Sequence, residues 1–313
     1  MDARPILFID ALNCFARHYI RHPAMSSHGH QAGGIVGFLG SLAYLTTLTN
    51  PRAVYIIWES GGSPRRRAIF PGYKEGRKPP KLNRYYEDDI PDSKENRAHQ
   101  QLFLTEVLKH VPVCQLFVEN CEADDVIGYL SRNTFRDEKK IIASSDRDFY
   151  QLLDRNTMVY SWASKKFIGP DEVKAQFNIS PSNFVLAKAV CGDVSDNVPG
   201  VKGVGFKGLA KRFDLTGDEP ISVPELVKMA KEKCEDGPKI FSSIAQNEEL
   251  LSRNFRVMYL DTANLAAVQI MRIDSIIQSF KPVRNQIQLM RVLIDEGLGT
   301  FDALDFFFAF SKI

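Results

Sequence analysis

Cysteine is scarce in this chain: the 313 residues contain five, an odd number, and no two of them have the CxxC spacing. This usage favours a reduced, intracellular protein. No apolar run approaches the ~20 residues that are needed to span a bilayer. Residues 1–5 also lack the basic–apolar–small pattern of a signal peptide. We therefore expect a cytoplasmic protein.

Several common catalytic motifs are missing as well. The sequence has no HExxH, GxSxG or GxxxxGKS/T segment, which argues against a thermolysin-like zinc site, a common serine hydrolase and a P-loop. Four of the six histidines lie near the N-terminus, and their spacing is too loose for a set of metal ligands: His18, His22, His28 and His30.

Net charge is also small, since 40 basic residues face 38 acidic ones and leave a formal charge of +2. That balance hides segregation along the chain. Basic residues cluster at 65–67, 74–81 and 202–212, whereas acidic residues cluster elsewhere. Basic segments beside acidic clusters are typical of a protein that binds a polyanion through both basic side chains and a metal ion.

Short apolar runs that alternate with helical patterns predict an α/β fold with a mostly parallel sheet and helices on both faces. The predicted strands are 6–9, 54–58, 113–118 and 140–143, with a hairpin at 157–168. The predicted helices are 33–49, about 93–110 and 123–130, and the chain reads as helical beyond about 170. In such sheets ligands bind beyond the carboxyl ends of the strands.

Acidic residues stand at those strand ends and at the helix starts that follow them. They are Asp10, Glu59, Glu122, Asp124, Asp125, Asp146, Asp148, Asp193 and Asp196. Each group alone has a plain alternative, namely a helix cap or a solvated turn. Together, converging carboxylates repel one another and lose hydration, so they call for cations. Oxygen ligands suit Mg²⁺ or Mn²⁺, and a metal pair ~4 Å apart would serve an in-line displacement at phosphorus.

A glycine-rich run at 200–208 is the second strong signal. Tight turns between short helices expose backbone N–H groups that can hold a phosphate, and Lys202 and Lys207 add positive charge. A flexible linker is the alternative, but the interleaved Val and Phe residues favour a packed turn. A dinucleotide fingerprint fits poorly because no strand is predicted before the run. Contact with a DNA backbone without sequence readout is the better interpretation.

The basic segment 64–81 contains Arg65, Arg66, Tyr73 and Lys78. A solvated loop is the usual explanation for such a run. Aromatic residues among the basic ones instead suit stacking on unpaired bases beside phosphate contacts.

Five motifs together resemble the 5′-nuclease family, which comprises flap endonucleases and 5′–3′ exonucleases. They are FIDALN at 8–13, YKEGRK at 73–78, EADD at 122–125, SDRD at 145–148 and GDVSDNVPG at 192–200. The chain looks most similar to stand-alone phage enzymes and to the 5′-nuclease domain of bacterial DNA polymerase I. The resemblance covers about residues 4–215.

The resemblance implies three regions. Residues 1–170 would form a PIN-like nuclease core that includes a helical arch at about 72–110. Residues 171–270 would form a helix–three-turn–helix DNA-binding region, and residues 271–313 a C-terminal helical segment of unclear role.

Residue roles also follow from the resemblance. Eight of the nine acids match the family's metal ligands; Glu59 stands where the family usually has aspartate, so its contact with metal could be direct or through water. Tyr73 matches a base-stacking tyrosine, and Lys74 and Arg77 match groups that contact the scissile phosphate. Arg17 would be a further substrate contact. The carbonyls of the glycine hairpin (Gly200, Gly203, Gly205) would bind K⁺ beside a DNA phosphate.

The expected activity is therefore Mg²⁺-dependent hydrolysis of phosphodiester bonds at 5′ ends or flaps of DNA, by a monomer that acts in replication or in removal of RNA–DNA primers. Two alternatives stay open: an RNase H-like nuclease on RNA–DNA hybrids, and a DNA-structure-binding protein with a degenerate metal site. If the chain is phage-encoded, we expect it in the host cytoplasm.

Overall fold

The structure is a computed structural model that describes residues 4–77, 94–235 and 237–313. Its centre is a six-stranded sheet with the order β3-β2-β1-β4-β5-β6, in which only β6 runs antiparallel to its neighbour. The strands are β1 Ile6–Asp10, β2 Ala53–Ser60, β3 Cys114–Glu119, β4 Lys140–Ala143, β5 Thr157–Ser161 and β6 Lys166–Ile168. A separate two-residue ladder joins β7 Gly192–Asp193 to β8 Val198–Pro199.

Helices fill the connections between the strands and make up the C-terminal half. In chain order they are α1 Ala11–Arg21, α2 Gly33–Thr49, α3 Pro64–Ile69, α4 Lys94–Val107, α5 Ala123–Tyr129, α6 Pro170–Phe177, α7 Pro181–Cys191, α8 Phe206–Arg212, α9 Val223–Lys231, α10 Lys239–Ala245, α11 Glu248–Met258, α12 Ala267–Ser279, α13 Gln286–Asp295 and α14 Ala303–Phe308. None of the described helices is both long and apolar enough to cross a bilayer.

Side chains of the parallel strands alternate between two hydrophobic cores. In β1, Ile6 and Phe8 point to a core shared with α5, α7, α9, α11 and α12. Leu7 and Ile9 point to the opposite core, which is shared with α1, α2, α4, α13 and α14. Because both faces of the strands are covered, their sequences are continuous apolar runs rather than alternating ones. The predicted α/β sandwich is confirmed.

The C-terminal segment packs against the face that carries α2 and α4. Glu296 accepts a hydrogen bond from the His99 ring at 2.5 Å, and the Asn285 amide donates to the carbonyl of His110 at 3.0 Å. Residues 271–313, for which no clear role was predicted, therefore support α4, which lies within the predicted arch region. The division into three regions remains a prediction.

Two helices near the site were not predicted. The Asp10 carboxylate caps α1 by accepting the Asn13 amide, and the Ser63 hydroxyl caps α3 by accepting the Arg66 amide, with Pro64 in the first turn. Helix α3 has only six residues, too few for a periodic pattern to show. Strand β8 directly precedes the glycine-rich run, where no strand was predicted.

Candidate active site

The strand register brings the predicted acids to one edge of the sheet. Asp10 ends β1 and lies opposite Ile57 of β2, while Glu59 lies near the end of β2. Strand β4 ends at Ala143, and Asp146 follows it. Electrostatic interactions connect Asp124 to Asp10, Glu59, Asp146 and Asp148. The carboxyl ends of the parallel strands therefore gather these groups, as predicted for a ligand site.

Arg66 neutralises one part of this acidic cluster from inside the protein. Its side chain is 1% exposed, and all five of its N–H donors are used. They reach the Val257 carbonyl (2.9 Å), Glu122 (2.6 Å), both oxygens of Asp124 (3.1 and 3.2 Å) and Asp125 (2.8 Å). The structure therefore differs from the prediction that Arg66 contacts DNA, because no donor is left for a phosphate. Its neighbouring carboxylates raise its pKa despite its burial.

Lys188 does the same for the other part of the cluster. This buried lysine on α7 donates to Asp148, and also to Asp193 at 2.7 Å. The Ser195 amide and hydroxyl donate to the second oxygen of Asp193, at 2.8 and 2.6 Å. We call the two groups the Arg66 half (Glu122, Asp124, Asp125) and the Lys188 half (Asp148, Asp193 and Asp196, which interacts electrostatically with the other two).

Tyr73, Lys74 and Arg77, which begin the predicted arch and which we call the arch base, contact acids of both halves. The Tyr73 hydroxyl contacts Glu122 at 2.9 Å and Asp196 at 3.2 Å. The Lys74 ammonium lies 2.8 Å from Glu122, and Arg77 lies 3.8 Å from Asp196. Lys74 has a φ of 55°, the left-handed region that a non-glycine residue rarely adopts. Such strain is often found at functional sites.

Tyr73 does not present the ring that base stacking requires. Its side chain is 6% exposed, and the ring lies between Arg66 and Lys74, whose charges stand 5.8 and 5.2 Å from its centroid. Stacking on a nucleobase would require the ring to leave this position. In the described structure Tyr73 instead ties the arch base to both halves of the acidic cluster.

Burial dominates the electrostatics of the carboxyl groups. It raises the pKa of Asp10 to about 6. Burial, with the charge of Asp124, raises the pKa of Asp125 to about 7. Burial, with the charge of Asp146, raises the pKa of Asp148 to about 7. Asp193 is the exception, since burial is outweighed by Lys188 and Ser195, which lower its pKa. Groups whose charged form is disfavoured in this way gain most from an added cation.

Carboxylate oxygens are suitable ligands for a divalent cation, although the described side chains do not form a complete coordination site. Six of the nine predicted acids form ion pairs with only four bases, Arg66, Lys74, Arg77 and Lys188, so negative charge is in excess. Glu59 has no base within ion-pair distance among the described residues. However, no group of three or more His, Cys, Asp or Glu side chains in the described ranges converges as metal ligands do. Arg66 and Lys188 hold five of the acids in ion pairs.

The glycine-rich run leaves a backbone surface open next to the Lys188 half. A Cβ on Gly200 would lie 2.1 Å from the Cys191 carbonyl oxygen, so only glycine fits there. Gly203, with a φ of +79°, and Gly205 have nothing within 4 Å of a Cβ position. Lys202 and Lys207 are exposed beside them. An open backbone flanked by lysines is accessible to a phosphate.

Comparison with known proteins decides the family. Residues 5–178, more than half of the chain, match the family described as 5′–3′ exonuclease, N-terminal resolvase-like domain. The chain belongs to this 5′–3′ exonuclease family. A 5′–3′ exonuclease of Buchnera aphidicola subsp. Acyrthosiphon pisum is 30% identical over 206 residues, covering 65% of this chain and 68% of the relative. DNA polymerase I of Bacillus subtilis is 28% identical over 247 residues, which cover 75% of this chain but 26% of the polymerase.

Solved structures support the same fold. The flap endonuclease of bacteriophage T5, in a complex with DNA and metal ions, matches with a TM-score of 0.69 at 20% identity, over 92% of this chain and 99% of that one. The flap endonuclease of Methanococcus jannaschii matches with a TM-score of 0.53 at 15% identity, over 100% of this chain and 94% of that one. At these identities the likeness concerns the fold alone.

Two other residues that were predicted to bind DNA are only partly accessible. Arg17 is partly buried on α1, and Arg65 is partly buried on α3, where it donates to the Arg256 carbonyl at 3.4 Å. Lys78 lies outside the described residues.

Sequence reasoning missed the internal partners of the acids. Lys188 stands in the apolar run FVLAKAVC of α7, and a lysine within such a run was the available signal, because a buried lysine needs a charged partner. Ser144 and Asn264 were also missed: the Ser144 hydroxyl donates to Asp10 at 2.9 Å, and the Asn264 amide donates to Asp125 at 3.1 Å. Neither carries a local sequence signal.

Proposed function

We propose that this exonuclease is a Mg²⁺-dependent 5′-nuclease that hydrolyses phosphodiester bonds at 5′ ends and flaps of DNA. One observation carries the proposal: Lys74 lies 2.8 Å from Glu122 and Arg77 lies 3.8 Å from Asp196, beside the acids at the carboxyl edge of the sheet, in a chain of the 5′–3′ exonuclease family. Mn²⁺ would substitute for Mg²⁺. Primer removal during replication, RNA–DNA primers as substrates and a monomeric state are parts of the same proposal.

The carboxylates of Asp10, Asp124, Asp146 and Asp148 would hold Mg²⁺, with Glu122, Asp193 and Asp196 around them and Glu59 in a direct or water-mediated contact. A divalent cation in such a site supplies an activated water and stabilises the leaving oxygen.

The basic side chains of the arch base act on the substrate. Lys74 and Arg77 would stabilise the negative charge that develops on the scissile phosphate. Lys74 now pairs with Glu122, so an arriving phosphate would compete for the same ammonium. The backbone N–H groups and lysines of the glycine hairpin would hold the duplex without reading its sequence, and the hairpin carbonyls would bind K⁺.

The test is a cleavage assay on a 5′-flap substrate with Mg²⁺, and with EDTA as the control. We expect product only with Mg²⁺, and we expect the variant Asp146→Asn/Asp148→Asn to lose at least about 10³-fold in rate while it still binds DNA. Binding without any product in Mg²⁺ or Mn²⁺ would show that the metal site is degenerate. Faster cleavage of an RNA–DNA hybrid than of the flap would favour the RNase H-like alternative.

A further inference from the structure

The end of helix α11 and the turn after it accept hydrogen bonds at four consecutive backbone carbonyls. Val257, Met258, Tyr259 and Leu260 each accept one from a side chain. The last carbonyls of a helix have no partner within the helix, so buried ones must be satisfied from elsewhere. We call residues 257–260 the α11 end. It lies beyond residues 5–178, which match the exonuclease family.

Gln151 joins the α11 end to the loop that carries Asp146 and Asp148. Its side-chain amide donates to the Met258 carbonyl at 3.1 Å and to the Asp148 carbonyl at 2.9 Å. Its Oε1 accepts a hydrogen bond from the Leu260 amide at 2.9 Å. Both N–H donors and the oxygen of this buried side chain are thus used. Gln151 therefore fixes the backbone that carries the Asp148 carboxylate to the α11 end.

The other acid-bearing element packs on the same residue of the α11 end. Helix α5, whose first turn contains Asp124 and Asp125, also contains Gly128. A Cβ on Gly128 would lie 3.2 Å from the Leu260 Cβ, so the helix approaches the α11 end about as closely as a glycine allows. Asn264, just after the α11 end, donates to Asp125 at 3.1 Å. The acids of α5 are thus held from the same place.

The two acid-bearing elements therefore have a common support. Asp124 interacts electrostatically with Asp146 and Asp148, so the acids of the two elements act on each other. Their relative position depends on Gln151 on one side and on Gly128 on the other. Groups that orient metal ligands from outside the coordination shell commonly change metal affinity by about 10–100-fold. The plain alternative is that Gln151 only satisfies buried backbone groups, which predicts lost stability without a change in metal affinity.

We propose that Gln151 is a positioning residue, which holds Asp148 at the distance from α5 at which one divalent cation can bind acids of both elements. This inference rests on the proposed function. It adds a residue that acts on the metal through the backbone of a ligand and does not touch the metal itself.

The test is the affinity of the DNA-free protein for Mn²⁺, measured from the electron paramagnetic resonance of free Mn²⁺, for the variant Gln151→Met. Methionine keeps the length of the side chain and removes its hydrogen bonds. We expect the dissociation constant for Mn²⁺ to rise about 10-fold. The Mn²⁺ concentration for half-maximal cleavage of a 5′ flap should rise by the same factor, whereas the rate at saturating Mn²⁺ should return to that of the wild type.

The matched control is Gln100→Met. Gln100 is also a buried glutamine that bonds two backbone groups, but it lies on α4, away from the acids. It accepts the Gly34 amide at 2.9 Å and donates to the Gln31 carbonyl at 2.8 Å. We expect this variant to lose stability in urea and to keep the wild-type affinity for Mn²⁺. Wild-type Mn²⁺ affinity in Gln151→Met, or an equal loss of affinity in both variants, would overturn the inference.

Gly128→Ala tests the same spacing from the other side and removes no hydrogen bond. The added methyl group must displace α5 or Leu260, so we expect weaker Mn²⁺ binding than in the wild type, by a smaller factor than in Gln151→Met. If Gln151→Met does not fold, an unchanged Mn²⁺ affinity in Gly128→Ala overturns the inference. The proposed function fails separately, if the wild-type protein binds Mn²⁺ but does not cleave the flap.

Discussion

In both halves of the acidic cluster a buried base neutralises neighbouring carboxylates, but the Arg66 half is held more rigidly than the Lys188 half. Arg66 donates five hydrogen bonds, to three acids and one carbonyl, and only 1% of the residue is exposed to solvent. Lys188 makes two ion pairs, and one partner, Asp193, has a side chain that is 19% exposed. A planar guanidinium fixes the direction of its partners, whereas an ammonium is a point charge on a flexible stem.

This difference indicates a division of labour across the site. The Arg66 half connects α3, α5 and α11, and so holds the fold around the acids. The Lys188 half has fewer contacts and more solvent, so its carboxylates can turn towards a cation at lower cost. We expect Asp146 and Asp148 to be essential for cleavage. Asp148 belongs to this looser half, and Asp146 interacts electrostatically with it.

The largest effect on stability is expected from Arg66→Met. The change leaves Glu122, Asp124 and Asp125 buried without their shared cation, and breaking a buried ion pair by removing one partner costs about 3–5 kcal/mol. Urea unfolding of the metal-free protein measures the loss. Arg67→Met is the matched control, because the Arg67 side chain is exposed. This substitution should change the free energy of unfolding by less than about 0.5 kcal/mol. Equal stability of the two variants would show that Arg66 is not needed to neutralise the acids.

A smaller loss, about 2 kcal/mol, is expected from Lys188→Met, because Asp193 keeps its Ser195 hydrogen bonds and reaches solvent. The same unfolding experiment measures it. Mg²⁺ sharpens the comparison: an added cation should restore more stability to Lys188→Met than to Arg66→Met, since a ligand that binds the folded state stabilises it. The reverse order would contradict the division between a rigid and a loose half.

The parts of the site that the sequence predicts are those with a local pattern. Asp10 and Asp146 follow buried strands, and the carboxyl edge of a parallel sheet gathers them whatever the loops do. Arg66 was assigned to DNA binding because a run of three arginines is typical of an exposed basic segment, and only tertiary packing turns one of them inward. The apolar run around Lys188 was a local signal of its burial, but its partner Asp148 follows from the meeting of α7 with the loop after β4, which no local pattern encodes.

The smallest effect is expected from Tyr73→Phe, which removes the hydroxyl that links the two halves. The ring and its contacts with Arg66 and Lys74 remain. The substitution therefore removes only hydrogen bonds to charged groups, which contribute about 1.5–3 kcal/mol at most. The loss of stability is smaller here because Glu122 keeps its ion pairs with Arg66 and Lys74. We therefore expect about 1 kcal/mol by urea unfolding.

A double-mutant cycle shows whether this hydroxyl couples the halves. If Tyr73 ties Asp196 to the Arg66 half, Tyr73→Phe and Asp196→Asn should lose less together than the sum of their separate losses. Additive losses would mean that the 3.2 Å contact between Tyr73 and Asp196 contributes nothing, and that Asp196 is held by Arg77 and by the Lys74 amide instead.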